Sequence, residues 1–161
     1  MQIIVDSREK WTQGNGDNHI RRAFDKAGID YVVRKLDEGD YMMEGGKVTV
    51  DRKQNLDELA MNLLNKTDKA RFWREARRAA QKGIKLIVLC EHGDGINSIN
   101  DVPRWKSQYT QITGRSIITE MIRLEMAYGV RWCFCGRRNA GEWIIKLLGE
   151  GNGQAEIVHQ T

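Results

Sequence analysis

The sequence has 161 residues, of which 40% are hydrophobic and 30% charged, and a formal net charge of +4. This length suits one domain with its own core, and the composition excludes a disordered, collagen-like or membrane-embedded chain. No apolar run approaches the roughly 20 residues of a membrane span, and the start MQIIVDSREK reaches acidic residues too early for a secretory signal. We expect one domain over 1–149, a weakly ordered tail over 150–161, and an intracellular protein, cytoplasmic or nucleoid-associated, with no membrane partner.

The first third of the chain predicts one helix among short strands. QIIVD (2–6) is an apolar run typical of a buried strand, and apolar residues then recur at helical spacing between Asn18 and Gly28. Three further strands follow, with a glycine-containing turn at 44–46 between the last two: 29–36, 41–43 and 47–53. Because they are consecutive in the chain, these three could form a meander.

Helices and strands alternate in the rest of the chain. Four helices are predicted, at 55–65, 70–83, 116–129 and 139–149. The strands are IKLIVLCE (84–91), a continuous apolar run of the kind buried on both faces, and VRWCFC (130–135). Between 92 and 114, glycines and the only proline predict a long loop. This pattern favours an α/β fold, a mixed central β-sheet flanked by helices on both faces.

Sulfur-containing residues are expected to lie in the core. The three cysteines are odd in number and sit in strand-like runs, which favours core thiols over a disulfide or zinc role. Met61, Met121 and Met126 are interpreted in the same way.

An acid and a lysine at the end of one predicted strand indicate a possible phosphodiester-cleaving site. Side chains alternate along a strand, so Asp51 and Lys53 point to one face and Arg52 to the other. Asp40 precedes the partner strand, and a tight turn at 44–46 can bring its carboxylate beside Asp51. Two such carboxylates suit Mg²⁺ or Mn²⁺, which can activate water, while the lysine orients that water or neutralises the phosphate. Alone, this pattern is weak, since it occurs by chance in many chains.

Three separated motifs make that interpretation stronger. VDSRE (5–9), GDY (39–41) and DRKQNLD (51–57) resemble, in order and spacing, the signatures of the XPF-type structure-specific endonuclease family. The resemblance covers most of residues 1–148. It implies a restriction-endonuclease-like fold and metal-dependent cutting of DNA, usually branched or flapped duplexes.

The resemblance also implies roles for individual residues. The implied catalytic residues are Asp6, Arg8, Asp40, Asp51, Arg52 and Lys53, with the three aspartates as ligands of Mg²⁺ or Mn²⁺. Glu9 and Asp57 would support them, although Asp57 could equally be an acid that complements the dipole of the following helix. Asp51 departs from the family, which usually has glutamate there, and this shorter side chain puts the geometry and metal preference of the site in question.

Basic segments are the candidates for contact with DNA. Residues 66–85 hold eight lysines and arginines against two acids, and three of these arginines form a helical stripe that could follow phosphates: Arg71, Arg74 and Arg78. A second group surrounds the end of the long loop: Arg104, Lys106 and Arg115. Trp105 among them could stack on an unpaired base, or could pack onto the core beneath an exposed polar loop.

Three functions remain open at this point. The first is a metal-dependent endonuclease acting on branched, flapped or forked DNA. The second is a non-catalytic DNA-binding or scaffolding subunit with the same fold, and the third, less favoured, is a phosphoesterase for small nucleotides. Many XPF-type enzymes continue into helix–hairpin–helix or helicase-like regions, which this sequence does not contain. We therefore expect substrate selection to come from this domain, a homodimer mate or a partner protein.

Overall fold

A computed structural model describes residues 1–9, 11 and 18–151, so the predicted tail falls outside the described residues after position 151. In this part of the chain, the strands are β1 Gln2–Asp6, β2 Asp30–Arg34, β3 Tyr41–Met43, β4 Val48–Lys53, β5 Lys85–Cys90 and β6 Arg131–Phe134. The α-helices are α1 His19–Lys26, α2 Leu56–Leu64, α3 Lys66–Gln81, α4 Gly114–Tyr128 and α5 Ala140–Gly149. Short 3₁₀ turns cover Ser7–Glu9 and Ile99–Arg104.

All six strands form one mixed sheet in the order β2-β1-β3-β4-β5-β6. β1 pairs in parallel with β2 and antiparallel with β3, β3 pairs antiparallel with β4, and β4, β5 and β6 are parallel. The expectation of a meander is therefore wrong, because β1 lies between β2 and β3. β1 is buried along four of its five residues and belongs inside the sheet, whereas the largely solvated β2 suits the edge.

Helices cover both faces of the sheet, as the sequence predicts. α1 and α5 pack on one face, where Phe24 and Ile144 are fully buried. α2, α3 and α4 pack on the other, where Leu59 and Leu124 are fully buried. β5 contributes alternate side chains to both clusters, which explains its continuous apolar sequence.

Most of the predicted core residues lie in the core, with two exceptions on helix surfaces. The three cysteines are free and buried, and Met121 is fully buried. Met61 and Met126 are 45% and 82% exposed, so their assignment to the core is wrong. Both lie on outer helix faces, where helical spacing alone does not distinguish a flanking position from an inward one.

Two of the differences from the predicted elements have local causes. α3 begins at Lys66 rather than at 70, because the Asn65 side chain accepts hydrogen bonds from the N–H groups of Thr67 and Asp68. The predicted loop contains the 3₁₀ turn Ile99–Arg104, which Ser98 and Asp101 cap reciprocally. No helix among the described residues is long and apolar enough to cross a membrane.

The close packing of α1 on α5 depends on Gly141. A Cβ at this position would lie 2.5 Å from Ala23 Cβ and 3.1 Å from Ile20 Cα. We predict that Gly141→Ala lowers the free energy of unfolding by about 1–3 kcal/mol, because overpacking outweighs the helix propensity gained. Urea denaturation measures this, with exposed Glu142→Ala expected to stay within about 0.5 kcal/mol of the unaltered protein. A more stable Gly141→Ala variant would show that α1 and α5 can move apart without a loss of stability.

Candidate active site

The candidate site lies where β1 and β4 end and β3 begins. Because β3 runs antiparallel to both neighbours, its first residues meet the last residues of β1 and β4 at one edge of the sheet. The Asp6 N–H donates to the Asp40 carbonyl at 2.8 Å, and the Asp40 N–H donates to the Val50 carbonyl at 2.8 Å. Backbone pairing thus brings the three motif aspartates, Asp6, Asp40 and Asp51, together.

Asp40, Asp51 and Lys53 share one cavity of about 420 Å³. Lys53 Nζ lies 3.0 Å from Asp51 Oδ1 and donates to Asn62 Oδ1 at 2.6 Å. Asp51 and Lys53 are buried, at 5% and 8% exposure. The Arg52 N–H donates to Asp40 Oδ2 at 2.8 Å, so the backbone of β4 also orients the Asp40 carboxylate. The structure shows the side-chain alternation expected of this strand.

Crowded carboxylates dominate the electrostatics of this cavity. Burial, followed by the charges of Asp51 and Glu9, raises the pKa of Asp40 well above its usual value. Burial and then the Asp51 charge raise the pKa of Glu75 to about 7. Burial also raises the pKa of Glu9, although the Tyr41 hydroxyl donates to its Oε2 at 2.9 Å. The ionised forms of these acids oppose one another, so a bound cation would stabilise all of them.

Lys53 carries the compensating positive charge. Burial lowers the pKa of Lys53, but the charge of Asp51, a hydrogen bond to Asp51 and the charge of Asp40 together raise it above its usual value. The ammonium group is therefore protonated at neutral pH. It also lies 5.8 Å from the centre of the Phe72 ring, which forms the apolar wall behind it.

Asp6 is buried, and its carboxylate is occupied by hydrogen bonds within the fold. Its Oδ1 accepts from the Leu36 N–H at 2.9 Å, and its Oδ2 accepts from Arg8 Nε at 2.8 Å. Arg8 also donates to the Leu36 carbonyl at 2.8 Å. Asp6 and Arg8 thus fasten the chain that leads from β2 towards Asp40, and this geometry favours a supporting role for Asp6 rather than that of a metal ligand.

Arg52 points away from Lys53 and binds Glu91, a residue that the sequence pattern did not single out. Arg52 Nε donates to Glu91 Oε1 at 3.1 Å, and its Nη2 contacts the same oxygen. The other oxygen of Glu91 lies 2.8 Å from His19 Nε2 and accepts from the Ala140 N–H at 3.2 Å. The one sequence signal was an acid directly after the buried strand β5.

Glu75 is the other site residue that the sequence pattern did not indicate. Its Oε1 accepts a hydrogen bond from the Gly39 N–H at 3.1 Å, directly before Asp40. It lies on α3 between Arg71 and Arg78 at helical spacing, and all three side chains line the cavity that contains Asp51. The only sign of Glu75 in the sequence was that it is an acid within a basic helical stripe.

Asp57 lies in the first turn of α2, where its side chain is used by another loop. Ser107 Oγ donates to Asp57 Oδ1 at 2.5 Å and accepts from the N–H groups of Tyr109 and Thr110, at 3.1 Å each. The structure therefore connects Asp57 to the loop around Tyr109 rather than to Asp51.

The predicted DNA-contacting residues fall into different places. Arg71 and Arg78 line the cavity of Asp51, but Arg78 also donates to the Asp37 carbonyl at 3.2 Å and lies 3.7 Å from Glu38. The remaining residues are placed as follows: Arg74 is exposed outside both cavities, Arg104 and Lys106 line a second, larger cavity, and Arg115 is exposed at the start of α4. Trp105 is only 8% exposed and packs in the core.

The donor chemistry fits a divalent cation, although the site is not already arranged as a metal centre. Within residues 1–9, 11 and 18–151, no three His, Cys, Asp or Glu side chains are grouped closely enough to hold a metal ion. The carboxylates of Asp40, Asp51, Glu9 and Glu75 nevertheless face one cavity, and oxygen donors of this kind suit Mg²⁺ or Mn²⁺. Their mutual repulsion is what a cation would relieve.

The fold and the site define an α/β protein with an acid–lysine cluster at one edge of a mixed sheet. The family model of the ERCC4 domain matches residues 5–147, and the chain therefore belongs to the ERCC4 domain family, the XPF-type nuclease domain. Members of this family are generally nucleases. A search of the curated proteins found no match.

Solved structures confirm the predicted fold. XPF from Aeropyrum pernix matches with a TM-score of 0.67 and 19% identity, over 92% of this chain and 64% of that chain. XPF from Aeropyrum pernix in complex with DNA matches with a TM-score of 0.66 and 19% identity, over 91% of this chain and 62% of that one. This chain thus spans less than two thirds of the length of those structures.

The buried carboxylate of Glu91 generates a prediction about stability. Burial raises the pKa of Glu91, but the hydrogen bond and charge of Arg52 outweigh this and leave the pKa below its usual value of 4.5. The ionised form therefore stabilises the fold above about pH 4.5, and this stabilisation is lost as the pH falls through the native pKa. We predict that Glu91→Gln lowers the free energy of unfolding at pH 7 by about 1–3 kcal/mol and flattens its decline below pH 4.5.

Urea denaturation between pH 3 and pH 7 measures both effects. Glu44→Gln is the matched control, because it removes an exposed ion pair. In this pair, Glu44 Oε2 lies 2.8 Å from Arg34 Nη2. This control should change the free energy of unfolding by no more than about 1 kcal/mol. Equal effects of the two substitutions would contradict a structural role for the buried pair.

Proposed function

We propose that this protein is a metal-dependent DNA endonuclease that hydrolyses phosphodiester bonds in branched, flapped or forked DNA. One observation carries the proposal: Asp40, Asp51 and Lys53 lie together in one cavity at the sheet edge. Membership of the ERCC4 domain family supports it. The alternative of a small-nucleotide phosphoesterase has no comparable support, since the cavity walls carry the exposed arginine Arg71, which suits a long polyanion.

The residues of the cavity can divide the work of hydrolysis. Asp40 and Asp51 would hold Mg²⁺ or Mn²⁺, and Glu9 and Glu75 line the same cavity. The cation, when bound, supplies Lewis-acid activation of water and charge for the phosphate. The Lys53 ammonium, already fixed by Asp51 and Asn62, places positive charge where negative charge develops on the phosphate oxygens. Asp6, Arg8 and the Arg52 N–H hold Asp40 and its loop in position.

DNA as the substrate is supported by charge and by the fold. Arg71, at the mouth of the cavity, is mostly exposed and can contact a phosphate next to the one that is cut. One of the similar structures is of XPF in complex with DNA, and we propose that this chain also binds DNA, at the sheet edge that carries Asp40 and Asp51. The requirement for a branch remains a prediction, as do the homodimer or partner protein and the intracellular location.

The nuclease proposal predicts a loss of cutting in single-residue variants. We expect Mg²⁺- or Mn²⁺-dependent cleavage that EDTA abolishes, and a decrease of about a hundredfold or more in Asp51→Asn and in Lys53→Met. The assay uses labelled single-stranded, duplex, flap, fork and four-way-junction DNA. Lys26→Met, which removes an exposed lysine outside both cavities, is the control and should cut as the unaltered protein does.

Two results would contradict the proposal. If the protein binds one of these DNAs and cuts none with either metal, the non-catalytic DNA-binding subunit is the better account. If Lys53→Met cuts as well as the unaltered protein while remaining folded by circular dichroism, the lysine has no role in the reaction.

The two neighbouring arginines of α3 give a separate prediction about binding. Arg71 lines the cavity and Arg74 does not, although both are exposed. Arg71→Ser should weaken binding to duplex or flap DNA and lower the slope of log K against log salt by about 1, since one phosphate contact is lost. Arg74→Ser should have the smaller effect. Fluorescence anisotropy in EDTA measures this without cleavage, and an unchanged affinity and salt slope in Arg71→Ser would remove Arg71 from the proposed DNA path.

A further inference from the structure

A second cavity of about 900 Å³ lies on the other side of Arg52 from Lys53. Four segments form it: the start of α1 at His19, the end of β4 with the start of α2, the chain from Glu91 to Tyr109, and the turn at 137–138 after β6. This volume is near the upper end of the range of about 300–1,000 Å³ for ligand cavities, so it has room for nucleotides rather than a single ion. The proposed cutting reaction does not use this space.

Exposed cationic side chains line the second cavity, Arg104, Lys106 and Arg137 among them. Arg104 contacts the Gly95 carbonyl and lies 3.5 Å from Asp101, and Arg137 donates to Asp94 at 2.7 Å. The side chains of Arg104 and Arg137 are still 60% and 67% exposed. Lys106 is exposed as well. Carboxylates also line this cavity, but these cations present several positions for phosphates along one wall.

Tyr109 provides an aromatic surface beside these cations. The residue is 83% exposed, and it is the one exposed aromatic residue among residues 1–9, 11 and 18–151. An exposed ring can stack on a base, which is worth about 1–3 kcal/mol and works with any base. Trp105, for which the sequence left stacking on a base and packing onto the core open, is buried in the core and cannot stack on a base.

The backbone that carries Tyr109 is held in place. Ser107 is 5% exposed, and its Oγ accepts from the Tyr109 N–H and donates to Asp57. The Ser107 N–H donates to the Ile112 carbonyl at 2.9 Å, and Lys106 pairs with Thr113 in a β-bridge. The ring is therefore presented from an ordered loop, which lowers the entropic cost of stacking.

Arg52 lies between the two cavities. The residue lines both the cavity of Asp51 and the second cavity, and Glu91 fixes its guanidinium. A strand whose phosphate lies near Asp51 can therefore cross Arg52 and enter the space below Tyr109.

We propose that the second cavity binds an unpaired strand of nucleic acid, with a base stacked on Tyr109 and phosphates on Arg104, Lys106 and Arg137. Stacking on a side chain needs a base that is free of its duplex neighbours, and this favours a single strand over a duplex. The inference rests on the proposed function in taking DNA as the ligand. It adds to that function the part of a branched substrate that this domain holds.

Binding of a single-stranded oligonucleotide in EDTA tests this proposal independently of cutting. Tyr109→Ala should weaken binding by about fivefold or more, whereas Tyr109→Phe keeps the ring and should stay within about twofold. Lys106→Ser should weaken binding and lower the salt slope by about 0.7, and Lys26→Ser, outside both cavities, should change neither. A 2-aminopurine base in the oligonucleotide should be quenched by the unaltered protein and by Tyr109→Phe, but not by Tyr109→Ala.

The outcomes separate this proposal from the nuclease proposal. Binding that depends on the Tyr109 ring in a protein that cuts no DNA would support the strand site and contradict the nuclease. Normal cutting together with unchanged single-strand binding by Tyr109→Ala would overturn the strand site and leave the nuclease intact. Losses of equal size for single-stranded and duplex DNA in Tyr109→Ala would also overturn the assignment to an unpaired strand.

Asp57 enters this proposal as a positioning residue, through Ser107. Ser107→Ala should weaken single-strand binding, and the double variant Ser107→Ala/Tyr109→Ala should bind no more weakly than Tyr109→Ala alone. Additive losses would show that Ser107 acts on something other than the position of the ring. Circular dichroism of each variant separates this result from unfolding.

Discussion

The backbone pairing of β1, β3 and β4 is the constraint on which the candidate site depends. Two hydrogen bonds of 2.8 Å, from the Asp6 N–H to the Asp40 carbonyl and from the Asp40 N–H to the Val50 carbonyl, continue the sheet to its edge. They fix three acids from distant parts of the chain before any side chain interacts. The carboxylates are thus held together by the backbone in spite of their repulsion, and burial, followed by the charges of Asp51 and Glu9, raises the pKa of Asp40.

Ionic and hydrogen-bonding partners then compensate for part of this repulsion. Lys53 pairs with Asp51, while Asp6 is directed to Arg8 and the Leu36 N–H. Glu75 accepts from the Gly39 N–H, yet burial and the charge of Asp51 still raise its pKa to about 7. Compensation is therefore incomplete on the side of the cavity that faces α3. The carboxylate repulsion that remains makes the binding of a cation favourable in this cavity. This is the physical basis for expecting a divalent ion there.

Whether a contact of the site could be predicted from the sequence depends on how far apart its two residues lie along the chain. The relation of Asp51 to Lys53 follows from the two-residue period of a strand, and that of Asp40 to Asp51 from one short turn. Glu75 and Glu91 could not be placed in this way, because they reach the site through the packing of α3 and the parallel pairing of β4 with β5. The wrong meander has the same cause, since nothing local in the chain shows that β1 enters the sheet beside β3.

β4 shows how one strand can serve two cavities. Its alternation sends Asp51 and Lys53 to one face and Arg52 to the other, so adjacent residues of the DRK motif address different spaces. Glu91, the acid at the end of the neighbouring strand, fixes the position of the Arg52 guanidinium. Glu91 is itself held by a hydrogen bond from the Ala140 N–H of α5. The same pleat that arranges the acid and the lysine therefore sets a cation between the cavity of Asp51 and the second cavity. A nucleic-acid strand bound as proposed would have its direction set by the sheet rather than by flexible surface side chains.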